Sequence, residues 1–273
     1  MSRIDESVPA GAEPRPSVAV GRMLFTMVDP NRGHEVAYNR WYERDHFYGG
    51  CMVGPHLFAG GRFVATRRLK DLRFPAQSPF ANPVDAGSYL SVYWVESPYE
   101  DEHFAWARKQ VFWLYKNGRG FSERTHAHTK LYDFEGSMKS RTDGVPIELA
   151  LDHRYGGLVV IASEPSAGAS HDDLRQAAAA KVPGLFGGGI DLMSDWHLHV
   201  EPAFTAPMEL GAEGGTAGRL VQLGFVEAAP DQVWPAVRTY AEALAASGAG
   251  TVTFAAPFLA TVVGTDKYSD ELW

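Results

Sequence analysis

Two rhythms of apolar and polar residues alternate along the chain. Residues 18–28, VAVGRMLFTMV, form an apolar, β-branched run stopped by Asp29, Pro30 and Gly33, which predicts a strand. Over residues 34–48 the period lengthens. Tyr38, Trp41, Tyr42, Asp45 and His46 recur at helical spacings, and Gly49 and Gly50 are expected to close that helix. Residues 61–69, GRFVATRRL, return to alternation and predict a strand that sends Arg67 and Arg68 to opposite faces. After a proline-rich connection comes a strand at 89–96. A helix is entered at Ser97-Pro98, with a stripe of Phe104, Ala107, Val111 and Leu114. Phe104 and Phe112 are expected in the core. A strand over 126–136 completes the order βαββαβ.

The second half repeats that order. Strands are predicted at GLVVIASEP, at GRLVQLGFVEA and at TVTFAAPFLATVVG, a strand or a strand plus turn at GGGIDLMSDWHLHV, and helices at ASHDDLRQAAAAKV and DQVWPAVRTYAEALAASG. The boundary falls at 141–152, giving a tail over 1–17, a first domain over 18–140 and a second over 153–273. A βαββαβ unit carries its helices on one face of the sheet and needs cover on the other. Two units packed sheet to sheet supply it. The space between the sheets then becomes either a small-molecule cavity or a filled core.

Composition narrows the partners. With 25 Lys plus Arg against 33 Asp plus Glu, the chain carries a formal charge of -8, so nothing draws it to nucleic acid or to an anionic membrane. The opening residues lack the apolar centre of a secretory signal, and no run reaches membrane-spanning length. The single Cys51 has no internal disulfide partner, which fits a cytoplasmic location. The glycine runs FGGGID and GAEGGTAG match no phosphate-binding pattern, and no GxSxG elbow occurs.

With these elements placed, the segment NRWYERDHF followed by GGRFVATRRL resembles the EthD-like branch of the dimeric α/β-barrel superfamily, whose ferredoxin-like units pair sheet to sheet. The resemblance covers mainly residues 23–69. Its helix-end pattern of a tryptophan-tyrosine pair, an acid and a histidine is filled by Trp41, Tyr42, Asp45 and His46. Its strand arginine is filled by Arg67 or Arg68. Related barrels include monooxygenases that need no metal or flavin, cyclases, lactone isomerases, decarboxylases and haem-binding peroxidase relatives. The resemblance therefore implies a small hydrophobic or aromatic substrate.

His46 is the leading catalytic candidate, because imidazole ordinarily titrates near ~6.5. Tyr42 would support it from one turn earlier. Asp45 would fix its tautomer or form an ion pair, and Arg67 would hold substrate charge. Arg68, Tyr93, Trp94 and His128 are candidate substrate contacts. His126, His128, His197 and His199 are spaced for chelation but lack a recognisable zinc pattern, so neither metal nor other cofactor is called for. The expected activity is that of a cofactor-independent lyase, isomerase or cyclase working by histidine-assisted proton transfer. A monooxygenase or haem enzyme is the alternative, and a non-catalytic small-molecule binder or carrier is the non-enzymatic one. A homodimer is compatible with each.

Overall fold

The computed structural model describes residues 18–200 and 218–273. The tail expected over 1–17, and all of the second glycine run except Gly218, lie outside the described residues. The first unit consists of β1 (Val20–Pro30), α1 (Glu35–Trp41) continuing as a π-helix over Tyr42–Met52, β2 (Leu57–Val64), α2 (Arg67–Lys70), β3 (Tyr89–Glu96), α3 (Glu100–Lys116) and β4 (Arg124–Lys139). The second has β5 (Gly157–Pro165), α4 (His171–Ala179), α5 (Val182–Gly187), β6 (Leu192–Leu198), β7 (Leu220–Val226), α6 (Trp234–Ala246) and β8 (Gly250–Ala260).

The strands close into one antiparallel barrel in the order β1-β3-β2-β8-β5-β7-β6-β4. The expected α+β fold of tandem ferredoxin-like units is therefore present, with both sheets supplied by a single chain. Two seams join the sheets. Strand β4 pairs first with β1 and then, from Tyr132↔Leu198 to Lys139↔Leu192, with β6. The other seam is short, with Phe63↔Ala260 and Val64↔Leu259 as its only paired positions.

Alternation along each strand sends one set of side chains into the barrel. Phe25, Val92, Trp94, Val160, Trp196, Leu223, Phe225 and Phe258 share one buried cluster, in which the Trp94 and Trp196 rings stack at 5.9 Å. Phe80, from the connection between α2 and β3, joins them and stacks on Phe254 at 4.8 Å. The interior of the barrel is thus a packed core; each fully buried large side chain contributes roughly 1.5–3 kcal/mol by area. The opposite faces of the sheets are covered separately. Tyr38, Tyr42, Tyr89 and Tyr93 pack beneath α1 and the π-helix, and Val159, Ile161, Leu174, Val237 and Leu244 pack between the second sheet and α4 and α6.

Three expectations need correction. The strand predicted over 61–69 ends at Val64. Thr66 is extended, its carbonyl accepts from Leu69 N and Lys70 N, and Arg67–Lys70 form a helical turn. The helix predicted over 34–48 is not closed by Gly49 and Gly50, because its backbone widens into a π-helix that carries both glycines on to Met52. Phe112 is 44% exposed, since the buried side of α3 turns on His103, Phe104 and Leu114. Among the described residues, no helix is long and apolar enough to cross a membrane.

Candidate active site

Tyr42 and His46 do not project between the sheets. A helix lying on the outside of a sheet turns its inner side to that sheet's outer surface, and the barrel interior lies beyond the strands. Tyr93 and Trp94 therefore part company. Tyr93 faces the helix layer, where its hydroxyl lies 2.9 Å from that of Tyr42, while Trp94 and His128 are fully buried among the barrel's interior side chains.

The π-helix decides the rest of the geometry. Hydrogen bonds of the i→i+5 kind put extra residues into each turn, so side chains five apart come together. The His46 ring consequently stacks on Trp41 at 4.8 Å and 18°, while Tyr42 meets the imidazole edge-on at 5.0 Å. Gly50 makes room, because a Cβ there would stand 2.8 Å from His46 Nδ1. The ring is thus held between the Trp41 face and the edge contact with Tyr42. Burial, aided by the cationic Arg124 and Arg62 and by His126, pushes its pKa well below the ordinary histidine value. His46 is a neutral imidazole at neutral pH. Burial also raises the Tyr42 and Tyr93 hydroxyls and carries the Cys51 thiol up to about 12, so these groups are protonated donors or acceptors and not nucleophiles.

Asp45 does not hold the histidine tautomer; it pairs with Arg119, whose carbonyl accepts from the Trp41 indole at 3.0 Å. Arg67 and Arg68 lie off the strand in partly exposed ion pairs, Arg67 with Asp71 and Asp85 and Arg68 with Asp231. The arginine that β2 does present to the helix layer is Arg62. Its guanidinium lies 4.4 Å from the centre of the Tyr42 ring and 5.2 Å from that of Tyr89. Nη1 donates to Asn39 Oδ1 at 3.0 Å and to Glu43 Oε1 at 3.2 Å, whereas Nε and Nη2 are buried with no hydrogen-bond partner. A shallow pocket formed in part by Arg40, Glu43, Arg44, Gly264 and Asp266 opens beside this pair, and Glu43 belongs to both. Arg62 was legible in GRFVATRRL, because a strand that puts Phe63 inward must put Arg62 outward. The expected continuation to Leu69 drew attention to the later arginines instead.

His126 and His128 offer no lone pair to a haem iron. His126 is engaged by Thr129 at 2.8 Å and by Arg124 at 3.2 Å, and His128 lies 3.1 Å from the Phe80 carbonyl and 2.7 Å from the Tyr132 hydroxyl. The haem alternative does not fit this pair.

No protein-family model matches the chain, and no curated protein does. Solved structures match across almost its whole length. A candidate chlorite dismutase is 8% identical, with a TM-score of 0.50 over 93% of this chain and 100% of its own. A DypB variant of Rhodococcus jostii RHA1 in complex with heme is 13% identical, with a TM-score of 0.50 over 92% and 96%. An anthrone oxidase-like protein is 12% identical, with a TM-score of 0.48 over 91% and 95%. At such identities the likeness to the chlorite dismutase-like and DypB structures shows the fold alone, that of a dimeric α/β-barrel.

Proposed function

We propose that the protein is a cofactor-independent monooxygenase that binds a hydrophobic, aromatic metabolite as its enolate or phenolate in the helix layer of the first unit. The observation that carries this reading is the buried Arg62, whose Nε and Nη2, with three N–H bonds between them, are unpartnered beside two tyrosine rings. A buried charged donor without a partner is costly, and a substrate oxyanion would satisfy both groups at once. In an activated methylene compound, CH2 + O2 → C=O + H2O balances with all four electrons drawn from the substrate, so no external reductant is required. His46, Tyr42 and Arg62 also support a place in the EthD-like branch, with Arg62 as the strand arginine.

Histidine-assisted lyase or isomerase chemistry is the second reading. It draws less support from His46, whose basicity burial suppresses. Arg62 instead favours the already ionised substrate. The test is oxygen uptake by the purified protein with a panel of polycyclic phenols and 1,3-diketones, without added metal or flavin. Arg62→Lys is expected to lose on the order of 10²-fold or more in turnover, the scale seen when a transition-state oxyanion donor is removed. Anaerobic conversion of the same substrate at an undiminished rate would favour the isomerase. Binding without turnover in air would favour the carrier.

A further inference from the structure

A second polar cluster lies on the far side of the barrel, where the second unit's helix layer meets the end of β4. The β4·β6 register slips between Phe134 and Gly136, and Glu135 stands at that irregularity. A bulge turns a side chain out of the regular alternation. Both carboxylate oxygens of Glu135 lie 2.9 Å from His171 Nε2, at the start of α4, and the His171 and His197 rings stack at 4.0 Å. One ligand-capable atom from each of Glu135, His171 and His197 lies within 4.8 Å of the other two.

The hydrogen bonding of His171 is what makes the cluster informative. Its Nδ1 lies 3.0 Å from the Gly218 carbonyl, which can only accept, so Nδ1 carries the hydrogen. In the neutral ring Nε2 is then a bare lone pair facing a carboxylate, and two acceptors at 2.9 Å require a cation between them. Either a proton or a metal ion satisfies that requirement. Histidine ligands commonly donate the other ring N–H to a backbone carbonyl, as here. Ligands at ~2.1 Å from one ion stand roughly 3 Å apart when adjacent, which is the spacing of Glu135 and His171, and the His197 atom lies within 4.8 Å of both. Arg175 braces the carboxylate residue from outside, donating to the Glu135 carbonyl at 2.7 Å and lying 3.6 Å from Oε2.

We infer that Glu135, His171 and His197 form a binding site for a divalent first-row transition-metal ion, fastening β4 of the first unit to α4 and β6 of the second. Two imidazoles and a carboxylate suit zinc, iron or manganese and leave positions for water. The site is separate from the layer around Arg62 and stands whether or not the oxygenase reading does.

The test is titration of the chelator-treated full chain with Zn2+ at pH 7.5, followed by calorimetry and thermal melting. One saturable equivalent and a raised Tm are expected, with affinity falling ~10-fold or more in Glu135→Gln and in His197→Asn. His34→Gln, remote from the cluster, should bind as wild type does. Absence of saturable binding, or equal binding in the two site variants, would overturn the inference. So would nitrogen NMR showing both His171 nitrogens protonated at pH 7.5 in the presence of excess Zn2+. Each variant is checked by circular dichroism, and folded His197→Asn keeps the test decisive if Glu135→Gln does not fold.

Discussion

His128 shows how a residue that reads as chemistry can be architecture. The spacing HAHTK suggested a substrate contact, yet the ring is fully buried, stacked on Phe80 at 3.8 Å and bonded to the Tyr132 hydroxyl. Burial, with Arg219 and Lys130 nearby, holds its pKa well below the ordinary value. The unfolded chain takes up the proton near ~6.5 while the folded chain resists it, so its contribution to stability is present above that pH and lost as pH falls. Each such histidine adds a slope of ~1.4 kcal/mol per pH unit below ~6.5. Urea denaturation of wild type at pH 7.5, 6.5 and 5.5 should show this decline, and His128→Gln should show a shallower one. Equal slopes would mean that His128 is not held neutral. Sequence spacing could place this histidine on β4; it could not tell that Phe80 would arrive from a distant connection to cover it.

At the level of the element, the π-helix separates what the sequence disclosed from what it hid. The spacing of Tyr42 and His46 placed them together correctly, because four residues is near one turn in either geometry. Trp41 and His46, five apart, looked like residues of neighbouring faces, and only the widened turn stacks them. No propensity scale signals that widening. A consequence can be measured at Gly50. Alanine there gains up to ~1 kcal/mol of helix propensity, but its Cβ would press on His46 Nδ1 and on Leu114 Cδ1, at 2.8 and 3.3 Å. The imidazole can rotate away, so Gly50→Ala should stay within ~1 kcal/mol of wild type in stability while Trp41 fluorescence changes as the His46 ring leaves its stack. A larger loss of stability with Trp41 fluorescence unchanged would instead mark Gly50 as a folding residue.

The doubled βαββαβ order made the whole barrel legible, since each half has a sheet face that only the other half can cover. The two seams were not legible, because register depends on contacts between distant strands. If residues 18–140 are a domain that folds alone, as we propose, isolating them would expose the free edges of β2 and β4. That fragment is expected to pair with a second copy of itself and to run as a homodimer in light scattering; a folded monomer would contradict this, because both edges would then lie open. In a barrel built from two identical subunits the seams are related by a two-fold axis and must be equal, so every substitution at one appears at the other. Here the equivalent seams differ, seven paired positions at β4·β6 and two at β2·β8. Joining the halves in one gene releases them from that duplicate bookkeeping. One seam can drift toward a latch that opens while its counterpart remains a hinge.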